Sequence, residues 1–522
     1  MGLLRGGERP YRNTKRVSSP PAALLIAMLT ASIVLILVPM FAQPNEVWVA
    51  PTGSDSNPGT QEQPFKTIQK GVDSVATGGT VHVAAGKYNE VITINKGLTM
   101  IGASADATII SGALKSGPVV TMDATANVKF SGFTITDATK DAKGESFGML
   151  AKQTAPTSGV TYEISYCKFV GTNNSTTSGE FQFYASGGME AIVFTHNTVT
   201  QYSGNAIVCE VHTGPTEISY NTFDAGISTF EPADIIFFMT YGGKDVTSLQ
   251  KVAYNTFNMG TANLKCTAIS FCAPGPGGAQ GNANFTNILI TENTFNNLKD
   301  DGRAITFWNG HVGYSKPPDG MKDNIISPFV TNNRIYGVSG SQRSYGINFY
   351  DDYGSTTGAT ITGNTITGVA VAIYLRAGDA PDTTINFNHI YGNAFGVDWT
   401  IGATSVNAKH NWWGNATGPP HPSSPGGTGD KVSHNVDFTP WLLAPTSGGK
   451  SETVSGSSSV DARDEADTAV DISATGDHTI ACAKYTSNPG GTPSFTTVGL
   501  YYDVSIRYGY RSKLHQDKVL LH

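Results

Sequence analysis

A short segment recurs along the middle of the chain, and its recurrence restricts the fold more than any other feature. Residues 192–199 read IVFTHNTV, 217–223 EISYNTF, 251–257 KVAYNTF and 288–295 ILITENTF. The pattern continues as FVTNNRI at 329–335, TITGNTI at 360–366, TINFNHI at 384–390 and VNAKHNWW at 406–413. Each copy is a short alternating run, an Asn, one residue and then an apolar residue. The asparagines are Asn197, Asn221, Asn255, Asn293, Asn333, Asn364, Asn388 and Asn411, spaced 24, 34, 38, 40, 31, 24 and 23 residues apart. Segments 161–169, with Cys167, and 128–135, with Phe133, fit the pattern without the Asn. A floor near 23 residues with free insertion above it suits neither a propeller blade nor a helical repeat. It suits one turn of a parallel β-solenoid, in which each turn stacks its strands about 4.8 Å from the last.

The alternation sends every second side chain into the tube. At the bend after each strand, the Asn is expected to take a left-handed conformation and to bond to the Asn above and below it. A second strand follows in each unit, for example AIVCEVH at 206–212, DIIFFMTY at 234–241, AISFCA at 268–273 and AITFWNGH at 304–311. In register, these strands predict one inward column of Ile207, Ile235, Ile269, Ile305, Ile347, Ile373 and Val397. The next inward column is Cys209, Phe237, Phe271, Phe307, Phe349, Leu375 and Trp399.

Composition agrees with a turn-rich β protein. Charged residues are 14% of the chain, against about 25% in an ordinary soluble domain. The 59 glycines and 26 prolines imply many turns and few long helices. A net charge of −7 argues against nucleic acid as a partner. The five cysteines, Cys167, Cys209, Cys266, Cys272 and Cys482, form no CxxC and no zinc spacing. They read as core thiols rather than a disulfide framework.

Repeats of this form resemble the right-handed parallel β-helix proteins of the pectate-lyase-like superfamily, which includes polysaccharide lyases, glycoside hydrolases and NosD-like periplasmic proteins. The resemblance covers roughly residues 45–443. VWVAPTGSDSNPGTQEQPFKTIQKGVDSVATGGTVHVAAGKYNE at 47–90 looks like the N-terminal cap of secreted members, with an amphipathic helix over Phe65 to Ala76 plugging the tube. NWWGNATGPPHP at 411–422 and GTGDKVSHNVDFTPWL at 427–442 are similar to the closing turns of surface members. The resemblance implies an all-β, right-handed parallel β-helix of at least ten rungs with a helical N-terminal cap. It fixes no chemistry, because fold and function separate in such superfolds.

The chain divides into an address, a solenoid and a tail. Residues 1–43 carry a basic start, with Arg5, Arg9, Arg12, Lys15 and Arg16, and then an apolar stretch from about Ala22 to Phe41. This reads as a signal peptide or an uncleaved signal anchor, and either places the remainder outside the cytoplasm. The membrane is then a partner only through this segment. Residues 44–445 are the β-helix, 446–459 a flexible linker, and 460–522 a small β-rich module or a truncated tail.

Three groups of residues could carry function. Outward positions of the second strand should be Thr, Ser or Lys, yet Phe238, Trp308, Tyr350 and Tyr374 form an aromatic strip bordered by Arg376, Asp351, Asp352 and Asp398. Aromatic faces stack on sugar rings while polar neighbours bond the hydroxyls. This predicts a polysaccharide or other glycan as the partner, unless long loops cover the strip. The acidic pairs Asp300/Asp301 and Asp351/Asp352 read as turn residues or as chemistry. The lyase resemblance implies that Asp351 and Asp352 hold Ca²⁺ with Arg376 nearby; the hydrolase resemblance implies paired carboxylates as acid and base. Neither family's full catalytic motif is matched. Asp55, in GSDSNPGT at 53–60, reads as a turn former or a Ca²⁺ ligand, and the histidines show no metal-binding spacing, so the metal is left unassigned. The expectation is therefore an exported glycan-binding β-helix, with a polysaccharide lyase or hydrolase, or a structural surface protein, as alternatives.

Overall fold

The computed structural model describes residues 42–445, apart from 114–115, 142–143, 156, 172–179, 203, 225–232, 241–242, 260–265, 274–282, 310–323, 352–354, 377–381 and 400–404. Beyond 445 it describes the backbone of strands between Val454 and Val519. The apolar segment from Ala22 to Phe41 lies outside the described residues. Among those described, no helix is long and apolar enough to cross a membrane.

Three long sheets of 14, 12 and 11 strands run down the solenoid, and their ladders are parallel throughout. Each turn of chain adds one strand to each sheet. Thus Ile192 pairs with Thr216, Thr216 with Gln250, and Gln250 with Ile288, while Phe169, Val199, Phe223, Phe257 and Phe295 follow one another in the 11-stranded sheet. The molecule is a right-handed parallel β-helix, the hand that parallel crossovers take almost without exception.

Elementary packing explains the coil. A turn of chain cannot bury its apolar face alone, so neighbouring turns must match in cross-section. Like therefore stacks on like inside the tube. Phe223 lies 5.0 Å from Phe257 at 8°, and Phe257 lies 4.8 Å from Phe295 at 5°.

The asparagines run beside these stacks. Asn197, Asn221, Asn255, Asn293, Asn333, Asn364, Asn388 and Asn411 are all buried. The Oδ1 of each accepts the backbone N–H of the preceding position: Asn221 to Asn255 at 2.9 Å, Asn255 to Asn293 at 3.0 Å, and Asn293 to Asn333 at 3.0 Å. Cys167 N–H donates to Asn197 in the same way, at 2.9 Å. Each Nδ2 donates to a carbonyl of the previous turn, as Asn293 does to Val252 at 2.8 Å. The left-handed conformation falls one residue earlier than expected. Tyr166, His196, Tyr220, Tyr254, Glu292, Asn332, Phe387 and His410 carry φ between 50° and 60°, and Gly363 takes the equivalent place at 68°. The reversal at that residue turns the following Asn inward, where its amide can replace strand pairing at the corner.

The N-terminal helix is shorter than the pattern predicts. It spans Ile68–Ser74, with Thr67 as N-cap accepting from the Lys70 N–H. Phe65 instead forms a parallel bridge with Val49. Ile68, Gly71 and Val72 are buried and close the end of the tube. Asp55 serves this cap: its carboxylate accepts from Lys66 N–H, Thr67 N–H and the Thr67 hydroxyl at 2.9–3.0 Å. Burial pushes that carboxyl up, but these hydrogen bonds win and hold it below the usual range.

Cys167, Cys209, Cys266 and Cys272 are buried free thiols. In the tail, Val454–Ser455 pairs antiparallel with Trp441–Leu442, Val470–Ala474 and Lys513–Val519 flank Val504–Tyr510, and Ala483–Thr486 pairs with Ser494–Thr497. The remainder of 446–522 lies outside the described residues.

Candidate functional site

One strand departs from the predicted register, and the correction builds the site. In Ala233–Met239 it is Ile236 that pairs with Ile207 and Ile269, and Phe238 that pairs with Cys209 and Phe271. Phe238 is therefore core, not part of an outward aromatic strip. It is 1% exposed and lies 4.4 Å from Phe271 at 3°. A slip of one residue moves every side chain to the other face. Phe237 takes the outward place beside Ser270, and Asp234 comes level with Thr267 and Arg303.

With that register, the outside of the 12-stranded sheet carries three columns. The first is Asp234, Thr267, Arg303 and Tyr345. The middle column is Phe237, Ser270, Thr306, Asn348, Tyr374 and Asp398. The third holds Met239, Cys272, Trp308 and Tyr350, with Arg376 after it. Ser270, Thr306 and Asn348 are short beside their neighbours and form a floor. Asp234, Thr267 and Arg303 stand on one side of it, and Trp308 and Tyr350 on the other. They line a pocket of about 190 Å³.

The rings and charges of the groove support one another. The Arg376 guanidinium lies 4.0 Å from the Tyr350 ring centroid, and Trp308 meets Tyr350 edge to face at 6.2 Å and 84°. Arg303 lies 5.8 Å from the Tyr345 ring, which tilts against Tyr374 at 5.4 Å. Burial, reinforced by the Asp398 charge, pushes the Tyr374 phenol up. Burial also lifts the Asp234 carboxyl to about 7, against the opposing pull of a Thr267 hydrogen bond and the Arg303 charge. Three buried polar atoms on this groove, Arg303 Nε, Thr306 Oγ1 and Trp308 Nε1, have no hydrogen-bond partner among the described residues. Buried polar atoms are nearly always satisfied. Here the missing partner has to come from outside the described residues, whether from the chain itself, from solvent or from a bound molecule.

The predicted residues divide as follows. Trp308 and Tyr350 line the pocket, and Arg376 covers a face of Tyr350. Tyr374 and Asp398 continue the middle column one and two strands further along. Asp351 has its backbone in Tyr345–Asp351, paired with Asn309, but its side chain and the whole of Asp352 lie outside the described residues. The loops that follow these strands, among them 310–323, also lie outside them. Asp300 and Asp301 are turn residues: Asp300 accepts from Ser341 and Gln342, and Asp301 pairs with Arg343 at 3.1 Å. His212 is buried, and burial lowers its imidazole to about 4; His311 lies outside the described residues. Among the described residues no three His, Cys, Asp or Glu side chains lie close enough together to hold a metal ion.

Sequence reasoning missed Asp234 because of the register slip. The signal was present: a polar residue, a small or apolar one, Ile, one residue and Phe recur as Thr267–Phe271, Arg303–Phe307 and Tyr345–Phe349. Alignment on the leading polar residue brings Asp234–Phe238 into the correct frame.

Comparison with known proteins leaves the chemistry open. Residues 51–230 match a family described as a protein of unknown function, DUF1565. The uncharacterized protein YwoF of Bacillus subtilis (strain 168) is 29% identical over 131 residues, which cover 22% of this chain and 28% of that protein. Among solved structures, the complex of XylC with xylose aligns over 67% of this chain and 76% of its own, with 12% identity and a TM-score of 0.39. A lacto-N-biosidase of family GH136 from Eubacterium ramulus aligns over 69% of this chain and 68% of its own, with 12% identity and a TM-score of 0.34. A pectin methylesterase in complex with a hexasaccharide aligns over 57% of this chain and 92% of its own, with 13% identity and a TM-score of 0.30. At this distance no functional residue transfers.

Proposed function

We propose that the chain is exported and binds a glycan in the groove between Asp234/Arg303 and Trp308/Tyr350. The observation that carries this reading is the convergence of Arg303 Nε, Thr306 Oγ1 and Trp308 Nε1, unpartnered among the described residues, on one outward groove that also holds an indole and a phenol ring. A sugar matches such a lining, since its C–H face packs on aromatic rings and its hydroxyls both donate and accept. The guanidinium groups of Arg303 and Arg376 favour a saccharide that carries carboxylate or sulfate groups. Export rests on the basic and apolar order of residues 1–43.

A second reading, catalysis in the same groove, has one observation in its favour. A carboxyl held near pH 7 can both give and take a proton, and Asp234 is such a group with a cation close by. In that reading Asp234 exchanges the proton, and Arg303 holds the charge of the sugar.

The test uses the full-length chain and a panel of acidic and neutral polysaccharides, scored for gel retardation and for shortened products. Retardation by an acidic polymer is expected, weakened about tenfold or more in Trp308→Ala with Tyr350→Ala. Binding that survives the double variant removes the groove as the site. Products that vanish in Asp234→Asn establish the catalytic reading. Products that vanish only with chelator move the chemistry to Asp351 and Asp352.

A further inference from the structure

The repeat leaves one regularity unexplained. Burial and hydrogen bonding account for its Asn, but not for the residues on either side. In four consecutive copies a Tyr, His or Glu precedes the Asn and a Thr follows it: His196 and Thr198, Tyr220 and Thr222, Tyr254 and Thr256, Glu292 and Thr294. All of these flanking residues point outward.

The preceding residue sits in the left-handed region, which suits Gly or Asn, and an aromatic residue there carries strain. Other turns use Gly132, Glu292, Asn332, Gly363, Phe387 or His410 at this place. Four successive turns use aromatic rings nonetheless. Tyr166, His196, Tyr220 and Tyr254 stack at centroid distances of 4.9, 5.0 and 4.8 Å, within 19° of parallel. The ring edges face solvent, with Tyr166 62%, Tyr220 52% and Tyr254 40% exposed.

Two further ladders lie beside this stack. Thr198, Thr222, Thr256 and Thr294 stand in register along the 11-stranded sheet, followed by Thr200, Asp224, Asn258 and Asn296. The last column is locked side chain to side chain: Asn258 donates to Asp224 at 2.6 Å, and Asn296 donates to Asn258 at 3.0 Å. The face therefore presents phenol, hydroxyl and amide groups that repeat once per rung.

We propose that this face is a second binding site, separate from the groove, for an uncharged polysaccharide lying along the axis of the coil. The rung spacing of about 4.8 Å is close to the length of one sugar unit, so each rung can meet one unit. Charge decides the class of polymer. Among the described residues of these rungs, the cations at the two ends are already engaged, Lys168 by Asp106 and Arg334 by Glu292 at 3.9 Å. An acidic polymer would meet the Asp224 carboxylate and would find both of these cations already held by carboxylates; a neutral polymer would meet only hydrogen-bonding groups.

The test is affinity electrophoresis of the full-length chain in gels cast with hydroxyethylcellulose, galactomannan or arabinoxylan, with polygalacturonate as the charged probe. Retardation by at least one neutral polymer is expected, insensitive to added salt. It should weaken about tenfold or more in Tyr220→Ala with Tyr254→Ala, and also in the shape-preserving Thr222→Val with Thr256→Val. It should persist in Trp308→Ala with Tyr350→Ala, which separates this face from the groove. No retardation by any of the three neutral polymers overturns the proposal. So does retardation that both ladder variants leave unchanged, or that disappears only in the groove variant.

Discussion

The two faces of the 12-stranded sheet are made by the same strands yet follow opposite rules. On the inside, Ile236, Ile269, Ile305, Ile347 and Ile373 repeat without change, and Phe238, Phe271, Phe307 and Phe349 repeat beside them. On the outside, Ser270, Thr306, Asn348, Tyr374 and Asp398 change at every rung. Each turn of a solenoid must fill the same cross-section as its neighbours, so the inner face has little freedom. The outer face has no such constraint. Its outward positions vary from rung to rung, and Arg303 Nε, Thr306 Oγ1 and Trp308 Nε1 lack partners among the described residues.

The comparison breaks first at the inner face. Phe271 packs on Phe238, meets Phe285 edge to face at 5.4 Å and lies 6.1 Å from Phe307. Phe271→Ala should cost about 3–5 kcal/mol, read as a fall in the urea midpoint. The neighbouring outward Ser270→Ala should change it far less. Equal losses would mean that the outer face is as much a part of the core as the inner one.

Next comes the polar ladder. Asn293 accepts from both the backbone and the side chain of Asn255 at 3.0 Å, and donates to Val252, Thr291 and Asn333. Asn293→Ala leaves the Asn255 N–H buried without an acceptor, at about 1–3 kcal/mol for that group alone. Hydrogen exchange should show faster opening centred on the adjoining turns, because a solenoid couples nearest neighbours. Exchange that accelerates evenly along the whole coil would contradict that picture.

How much of this could be read in the sequence follows the same division. The ladder asparagines and the Ile and Phe columns were legible because the inside repeats them. The aromatic strip was legible only where the frame was unambiguous. In Asp234-Ile235-Ile236-Phe237-Phe238 both alternations are apolar, so the pattern offers two registers of equal merit. Pairing with Cys209 and Phe271 selects one of them. Phe238 then leaves the proposed site and Asp234 enters it. The helix bounds were overextended because Phe65 is apolar enough for a helix but is held by its bridge to Val49.

Asp234 gives the outer face a dependence on pH. Its folded carboxyl titrates near 7, raised from 3.8 by burial. The folded state therefore favours the protonated form. That contribution to stability is complete below about pH 4 and is lost as the pH rises through 7. Asp234→Asn should match the parent chain at acid pH and exceed its stability above neutrality, in urea midpoints taken across the range. His212 has the opposite sign. Its folded value of about 4 lies below the ordinary 6.5, so its share is present above 6.5 and lost as the pH falls through 4. A stability difference between parent and Asp234→Asn that does not vary with pH would show that the carboxyl stays hydrated.

The smallest stability effect should come with the largest functional one. Trp308 is partly exposed, and its ring rests on the edge of the groove rather than in the tube. Trp308→Ala should cost no more than about 0.5 kcal/mol of stability in urea unfolding, as for surface positions in general, yet weaken glycan retardation about tenfold or more. Trp308→Phe keeps an aromatic face but removes the indole N–H, which separates ring stacking from the hydrogen bond that the unpartnered Nε1 implies. If the groove binds through both, Trp308→Phe falls between the parent chain and Trp308→Ala. A large loss of stability in Trp308→Ala would mean that this indole supports the sheet, and the contrast between the two faces would then fail at its most exposed ring.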